Sequence, residues 1–272
     1  MAYKYFSKNG KVLPAEQAVV PLADIEYAYG FGVYETIRLS KGRLLFLGEH
    51  CERLMGSARI IGLHHSLSKE SVARNVKELV DRNKADNCNV KILLIGGPAG
   101  SDATLNILCL NPLFPDRKLY KQGAHVITEW MERPFPHAKT LNMLPSYLAH
   151  RGARVAGAYD ALLVNRHGYV TEGTSTNFFG LKGHTIFSPP VAEILPGVTR
   201  DKVLKVAGQN GFKIEQKDLK LDDLREYDNL FLTGTSVKIM PIRSVDALEL
   251  DPPSSALRGL MKAFDDFLAF DN

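Results

Sequence analysis

Apolar residues recur along this chain at two spacings, and the switches between them mark out its elements. Alternating runs broken by glycine turns predict hairpins. Residues 3–20 turn at Asn9-Gly10, and the run from Tyr27 through Arg38 enters a second hairpin at Lys41-Gly42. Residues 21–26 read as a loop. Helical spacing follows. Residues 48–62 place Leu54, Ala58 and Ile61 on one face, and a second helix starts at Ser68 as N-cap and carries Val72, Val76, Leu79 and Val80. A buried strand over 90–95, the breaker Gly96-Gly-Pro-Ala-Gly100 and a strand over 106–110 complete the first half. The second half opens on a strand over 124–130 and a loop holding Lys139, which leads into a helix from about 144 to 157. Hairpins follow around His167-Gly168 (161–171) and Lys182-Gly183 (177–188), then a helix opened by Leu195-Pro-Gly-Val-Thr199 that ends at Gly211. Strands at 213–218 and 229–232 and an amphipathic helix over 256–270 close the chain.

Strands and helices mixed in this way predict an α/β (α+β) protein. Residues 113–123 carry mixed charge and little periodicity and are the expected linker. They divide a smaller N-terminal domain, 1–112, from a larger, strand-rich C-terminal domain, 124–272. A chain of 272 residues accommodates both.

Composition narrows the functions. A formal charge of +4, with no basic run, gives no electrostatic case for nucleic acid or a membrane surface. No apolar run approaches the ~20 residues that span a bilayer. The N-terminus lacks a signal-peptide core. Cys51, Cys88 and Cys109 are scattered and lack metal-type spacing, so a reducing, cytoplasmic setting is expected, with no metal.

Several stretches carry candidate chemistry. Tyr169-Val-Thr-Glu-Gly-Thr-Ser-Thr-Asn-Phe-Phe179 sets Glu172 beside Gly173 and a run of hydroxyls. Glycine marks bulges and close backbone approach, so the acid there either faces a ligand or decorates a hairpin edge. Pro196-Gly-Val-Thr199 at a helix start suits an anion, or a plain cap by Thr199. Thr233-Gly-Thr-Ser236 is a second anion candidate, or a polar turn. Arg53, three residues after His50, has the planar fork that matches phosphate.

Taken in order, six stretches resemble the fold type IV (class IV) pyridoxal-phosphate-dependent aminotransferases, a group with branched-chain aminotransferases, D-amino-acid aminotransferases and aminodeoxychorismate lyases. They are Tyr29-Gly-Phe-Gly-Val-Tyr-Glu-Thr-Ile-Arg38, His50-Cys-Glu-Arg-Leu54, Lys139-Thr-Leu-Asn142, Gly168-Tyr-Val-Thr-Glu-Gly-Thr-Ser-Thr-Asn177, Leu195-Pro-Gly-Val-Thr-Arg200 and Leu232-Thr-Gly-Thr-Ser236. The resemblance implies two domains with pyridoxal 5'-phosphate between them, bonded to Lys139 as a Schiff base. It implies Glu172 at the pyridine nitrogen, and Arg53, the backbone of Val198 and Thr199, and Thr235 at the phosphate. In this picture the N-terminal domain supplies Tyr29, Tyr34 and Arg53, and the C-terminal domain supplies Lys139, Glu172, Thr199 and Thr235.

The implied reaction moves an amino group from an amino acid to a 2-oxo acid such as 2-oxoglutarate, in a homodimer or larger homo-oligomer. Tyr29, Trp130 and Arg243-Ser-Val-Asp246 resemble the branched-chain enzymes, which points to aliphatic L-amino acids. Tyr34, Lys91 and Ser236 join the expected substrate contacts. Lys91 departs from the resemblance, since an arginine is usual there; it reads equally as a carboxylate anchor or a strand-edge lysine. The 96–101 loop lacks the arginine and histidine of the well-known D-amino-acid enzymes. Other D-specific members lack them too, so D-amino-acid transfer remains an alternative, with aminodeoxychorismate lyase further off.

Overall fold

The computed structural model describes residues 3–20, 24–98, 101–112 and 114–270. Pro21, Leu22 and Ala23 of the expected loop, Ala99 and Gly100 of the 96–101 loop, and Leu113 of the expected linker lie outside them. The chain divides into two compact units, Met1–Leu113 with His137–Met143, and Phe114–Pro136 with Leu144–Asn272. Among the described residues, no helix is long and apolar enough to cross a membrane.

The first unit is a six-stranded sheet with helices on one face. Its strands are β1 (Tyr5–Lys8), β2 (Lys11–Pro14), β3 (Gly32–Ser40), β4 (Arg43–Leu44), β5 (Cys88–Ile95) and β6 (Thr104–Leu110), in the order β2-β1-β6-β5-β3-β4. Its helices are the short α1 (Ile25–Ala28), which overlaps the end of the expected loop, α2 (Leu47–Ile60) and α3 (Lys69–Asn83). The two hairpin turns fall where expected, because Asn9-Gly10 and Lys41-Gly42 all adopt positive φ. Ser68 caps α3 in a reciprocal capping box with Ser71. The alternation of β3 sends Val33, Glu35, Ile37 and Leu39 toward the helices, where Ile37, Leu39, Leu54, Val76, Leu79 and Ile92 form the core. Glu35 therefore sits, fully buried, in a register position that the pattern reserves for an apolar side chain.

One expectation changes here. Lys139 is expected in the C-terminal domain, yet its segment belongs to the first unit. Tyr34 N donates to Lys139 O at 2.9 Å and Leu141 N to Gly32 O at 2.8 Å, with Val33 and Thr140 bridged antiparallel. Lys139 N also donates to Ser57 Oγ on α2 at 3.0 Å. Extended backbone at 139–141 satisfies its polar groups on β3, and that pairing outweighs proximity in sequence.

The second unit holds a ten-stranded sheet. It comprises β7 (Ala124–Trp130), β8 (Asp160–Val164), β9 (Tyr169–Gly173), β10 (Asn177–Lys182), β11 (Thr185–Ser188), β12 (Lys213–Gln216), β13 (Leu219–Lys220), β14 (Asn229–Gly234), β15 (Lys238–Val245) and β16 (Leu248–Glu249). The main path runs β12-β11-β10-β14-β15-β7-β8-β9-β13, with β16 on β15 and a second pairing of β10 with β9. The helices are α4 (Arg117–Gln122), α5 (Leu144–Val155), α6 (Val198–Gln209) and α7 (Ser255–Phe270). The expected linker is in part α4, capped by Asp116, whose Oδ1 accepts from Lys118 N at 2.8 Å. On one side of the sheet α6 and α7 cover Phe179, Leu181, Phe231 and Ile239.

The central strand β15 escaped the sequence reading because Pro241 interrupts its pattern. Pro241 pairs with Phe231 of β14, whereas the pairing with β7 begins only at Ile242 and then shifts register. The missing N–H thus falls before the second ladder starts.

Candidate active site

Arg53 does not stand alone on its helix. Its Nε donates to Glu35 Oε1 at 2.6 Å and its Nη2 to Glu35 Oε2 at 2.9 Å, a forked, charge-assisted pair. His50, one turn earlier on α2, places Nδ1 2.8 Å from Glu35 Oε2. An ionised carboxylate only accepts, so Nδ1 carries the proton. Burial pushes the Glu35 carboxyl upward, but the Arg53 charge and the bonds from His50 and Arg53 outweigh it, and the pKa falls to about 2. Sequence reading missed Glu35 as a functional group. The signal was present, an acid on the apolar phase of β3 facing a His-x-x-Arg turn.

The opposite face of β3 carries Tyr34. Two amines sit on its ring, with Lys91 Nζ 3.6 Å and Lys139 Nζ 4.6 Å from the centroid. Lys91 reaches it diagonally from β5, where it pairs with Thr36. Of the residues expected to contact substrate in this unit, the structure groups Tyr34 and Lys91 with Lys139. Tyr29, at the end of α1, is 77% exposed.

In the second unit Glu172 is the penultimate residue of β9 and is 2% exposed. Its Oε2 accepts from Leu195 N at 3.3 Å, and Arg133 Nε lies 3.0 Å from its Oε1, an ion pair without the alignment of a hydrogen bond. Arg133 Nη2 also donates to Thr174 O. The strand stops at Gly173, a position that takes glycine because a Cβ there would overlap Thr176 Oγ1 and meet Asp160 Oδ2 at 2.7 Å. The ladder irregularity falls slightly earlier, between the Leu163–Glu172 and Val164–Val170 pairs. Asp160 is buried and ties the hydroxyl run down, accepting from Thr174 Oγ1 at 2.5 Å and Thr176 Oγ1 at 3.0 Å.

Asn177 opens β10 and donates to Leu195 O at 2.9 Å. Its Oδ1 fills the space a Cβ of Gly197 would need, so Gly197 is the residue that fits at the N-cap of α6. No side chain caps that helix start, which leaves the N–H groups at Val198 and Thr199 to an anion. Asn177 also pairs with Thr233, so the 234–236 turn, with half-buried Thr235 and Ser236, begins beside the same loop. The structure thus gathers Glu172, Val198, Thr199 and the Thr235 turn within one unit. Trp130, at the far end of β7, is 63% exposed. Arg133, Asp160 and Asn177 were not singled out by the sequence as site residues; their roles emerge only from these contacts.

Residues 32–245 match the family model of the class IV amino-transferases. The chain belongs to the class IV aminotransferases. Similar relatives include the D-alanine aminotransferase of Bacillus licheniformis, 34% identical over 250 residues, covering 88% of this chain and 87% of that one. The putative branched-chain-amino-acid aminotransferase of Methanocaldococcus jannaschii is also 34% identical over 250 residues, with 88% and 86% covered. Among solved structures, the branched-chain aminotransferase of Escherichia coli superposes with a TM-score of 0.91 at 25% identity, over 97% of this chain and 94% of that one. That of Thermoproteus uzoniensis with norvaline gives 0.91 at 26% identity, over 98% and 95%.

These relatives and structural neighbours are transaminases, and the class uses pyridoxal 5'-phosphate. Each unit holds groups whose chemistry suits that cofactor: the first a half-buried lysine, the second a buried carboxylate and a helix N-terminus without a side-chain cap.

Proposed function

We propose that this chain transfers the amino group of an aliphatic or branched-chain L-amino acid to a 2-oxo acid such as 2-oxoglutarate. Lys139 is the lysine that bonds the cofactor aldehyde, and the observation that carries the reading is its half-buried amine on the Tyr34 ring, in a family of transaminases. Glu172 faces the ring nitrogen. Arg53, held by Glu35, binds the phosphate together with Thr235 and the N–H groups of Val198 and Thr199. When bound, pyridoxal 5'-phosphate supplies an electron-accepting ring that makes the substrate Cα proton acidic. Lys139 Nζ would take that proton as general base and, as general acid, return it to the carbon on the far side of the transferred nitrogen, two bonds from Cα. Arg133 keeps the Glu172 charge compensated within the protein.

Glu172→Gln is expected to retain cofactor while single-turnover rates fall by roughly 10²–10³. An unchanged rate would remove Glu172 from the ring nitrogen.

Exposed Tyr29 and Phe31 offer apolar surface that suits an aliphatic side chain, and Tyr34, Lys91, Trp130 and Ser236 are the other proposed substrate contacts. A second reading, transfer from D-alanine, is favoured by the Bacillus licheniformis relative. Mixing the enzyme with L- and D-forms of leucine, valine, alanine and glutamate, and following conversion of the cofactor to its amine form, separates the two. L-leucine and L-valine are expected to react fastest; D-alanine outrunning them would install the second reading. Pyruvate released from aminodeoxychorismate with no 2-oxo acid present would replace both with a lyase. We propose a homodimer as the working assembly, and sedimentation showing a monomer would refute it.

A further inference from the structure

The Tyr34 ring carries two lysines, and the proposed bond to the cofactor uses only Lys139. Lys91 stands on the outward face of β5, half-buried, with its ammonium 3.6 Å above the ring that Lys139 touches at 4.6 Å. The two nitrogens are therefore no further apart than the sum of those distances. At such range, and with half-buried side chains, two ammoniums repel appreciably. Resting on the function proposed above, we propose that Lys91 is a positioning residue whose charge, delivered across the Tyr34 ring, biases the Lys139 amine toward its neutral, nucleophilic form.

The two amines compete for charge, and the surroundings of Lys91 pull in both directions, with a net lowering of its pKa. Burial lowers its pKa from 10.5 and the Lys139 charge acts in the same direction, while Tyr34 and Glu35 act to raise it. Coupling between two titrating sites is reciprocal. The free energy by which Lys139 disfavours the charge on Lys91 is the same free energy by which Lys91 disfavours the charge on Lys139.

The other neighbours within the unit do not substitute for it. On β3, Glu35 lies behind Tyr34, and Arg38, a second cation on the outward face, stands four residues further along the strand, opposite Asn89. On β6, the residues opposite Lys91 and Leu93 are Leu108 and Asn106, both uncharged. The segment His137–Met143 brings His137 and Lys139 itself. A lysine serves this purpose where a carboxylate would not, because only a cation destabilises the protonated amine.

The test is the pH dependence of cofactor capture. Full-length wild-type chain, K91M, K91Q and K91R are stripped of cofactor and mixed with pyridoxal 5'-phosphate from pH 6 to 10. The covalent adduct on Lys139 is trapped with borohydride and quantified by mass spectrometry. K91M and K91Q are expected to move the midpoint of the capture rate upward by on the order of one pH unit, which lowers the neutral-pH rate about tenfold, while K91R keeps the wild-type profile. Capture profiles of K91M and K91Q that superimpose on wild type would overturn the proposal, even if KM for amino acids rises, since Lys91 would then act on substrate alone. A K91R profile displaced as far as that of K91M would overturn it too, because packing rather than charge would be responsible. A wild-type chain that forms no adduct at any pH removes the cofactor lysine assignment itself, a result distinct from any failure at Lys91.

Discussion

Lys139→Ala is expected to abolish covalent cofactor attachment and to lower turnover by roughly four orders of magnitude or more, since the same nitrogen serves as nucleophile and as proton carrier. Mass spectrometry after borohydride trapping reads the first effect, and amino-group transfer from L-leucine reads the second. The fold is expected to survive. The anchoring contacts of residue 139 are backbone ones, its N–H to Ser57 Oγ and its carbonyl to Tyr34 N, and alanine retains both. The Tyr34 ring then keeps Lys91 as its one amine from this pair. Normal transfer by the variant would move the chemistry to another lysine and remove the proposed site.

The largest expected effect on stability belongs to Glu35→Ala. It strips the partner from buried His50 and half-buried Arg53 on α2, and breaking a buried ion pair by removing one side costs about 3–5 kcal/mol. The same carboxylate sets an acid limit on the fold. Its folded pKa of about 2 lies below the 4.5 of an unperturbed glutamate. A depressed acid stabilises the folded state fully above the unfolded value and loses that contribution as pH falls through the folded one. The contribution is about 3 kcal/mol at neutral pH and fades between pH 4.5 and 2. Denaturant unfolding at a series of pH values is expected to show wild type losing stability across that window and Glu35→Ala lacking the corresponding slope. Equal stability and equal slopes would mean that Arg53 and His50 are satisfied without Glu35. Phosphate binding is expected to weaken with the fold intact in the milder Glu35→Gln, because the guanidinium plane is then held by one acceptor instead of two.

Much of the architecture was legible because its causes are local. Positive φ at Asn9-Gly10 and Lys41-Gly42 follows from the residues themselves, as do the capping box at Ser68 and the apolar stripe of α3. The strand end at Glu172-Gly173 and the helix start after Pro196-Gly197 were also visible, since a glycine beside an acid and a Pro-Gly before a helix are local signals. Two local patterns misled. Pro241 concealed β15, and the weak periodicity of 113–123 concealed α4.

The sequence by itself determined the inventory, namely which stretches become strands, turns and helices, and that a lysine, an acid, an arginine and an anion-receptive helix start occur in a known order. The tertiary structure decided which of them meet. Lys139 joins the first unit through a bond to Ser57, 82 residues earlier, together with backbone pairing to β3. Glu35 claims the fork of Arg53, and Lys91 shares a tyrosine ring with Lys139. The physical reason is common to all three. An unpaired backbone group or a buried charge accepts whatever partner the fold brings within reach, and neither residue spacing nor propensity records who that partner is.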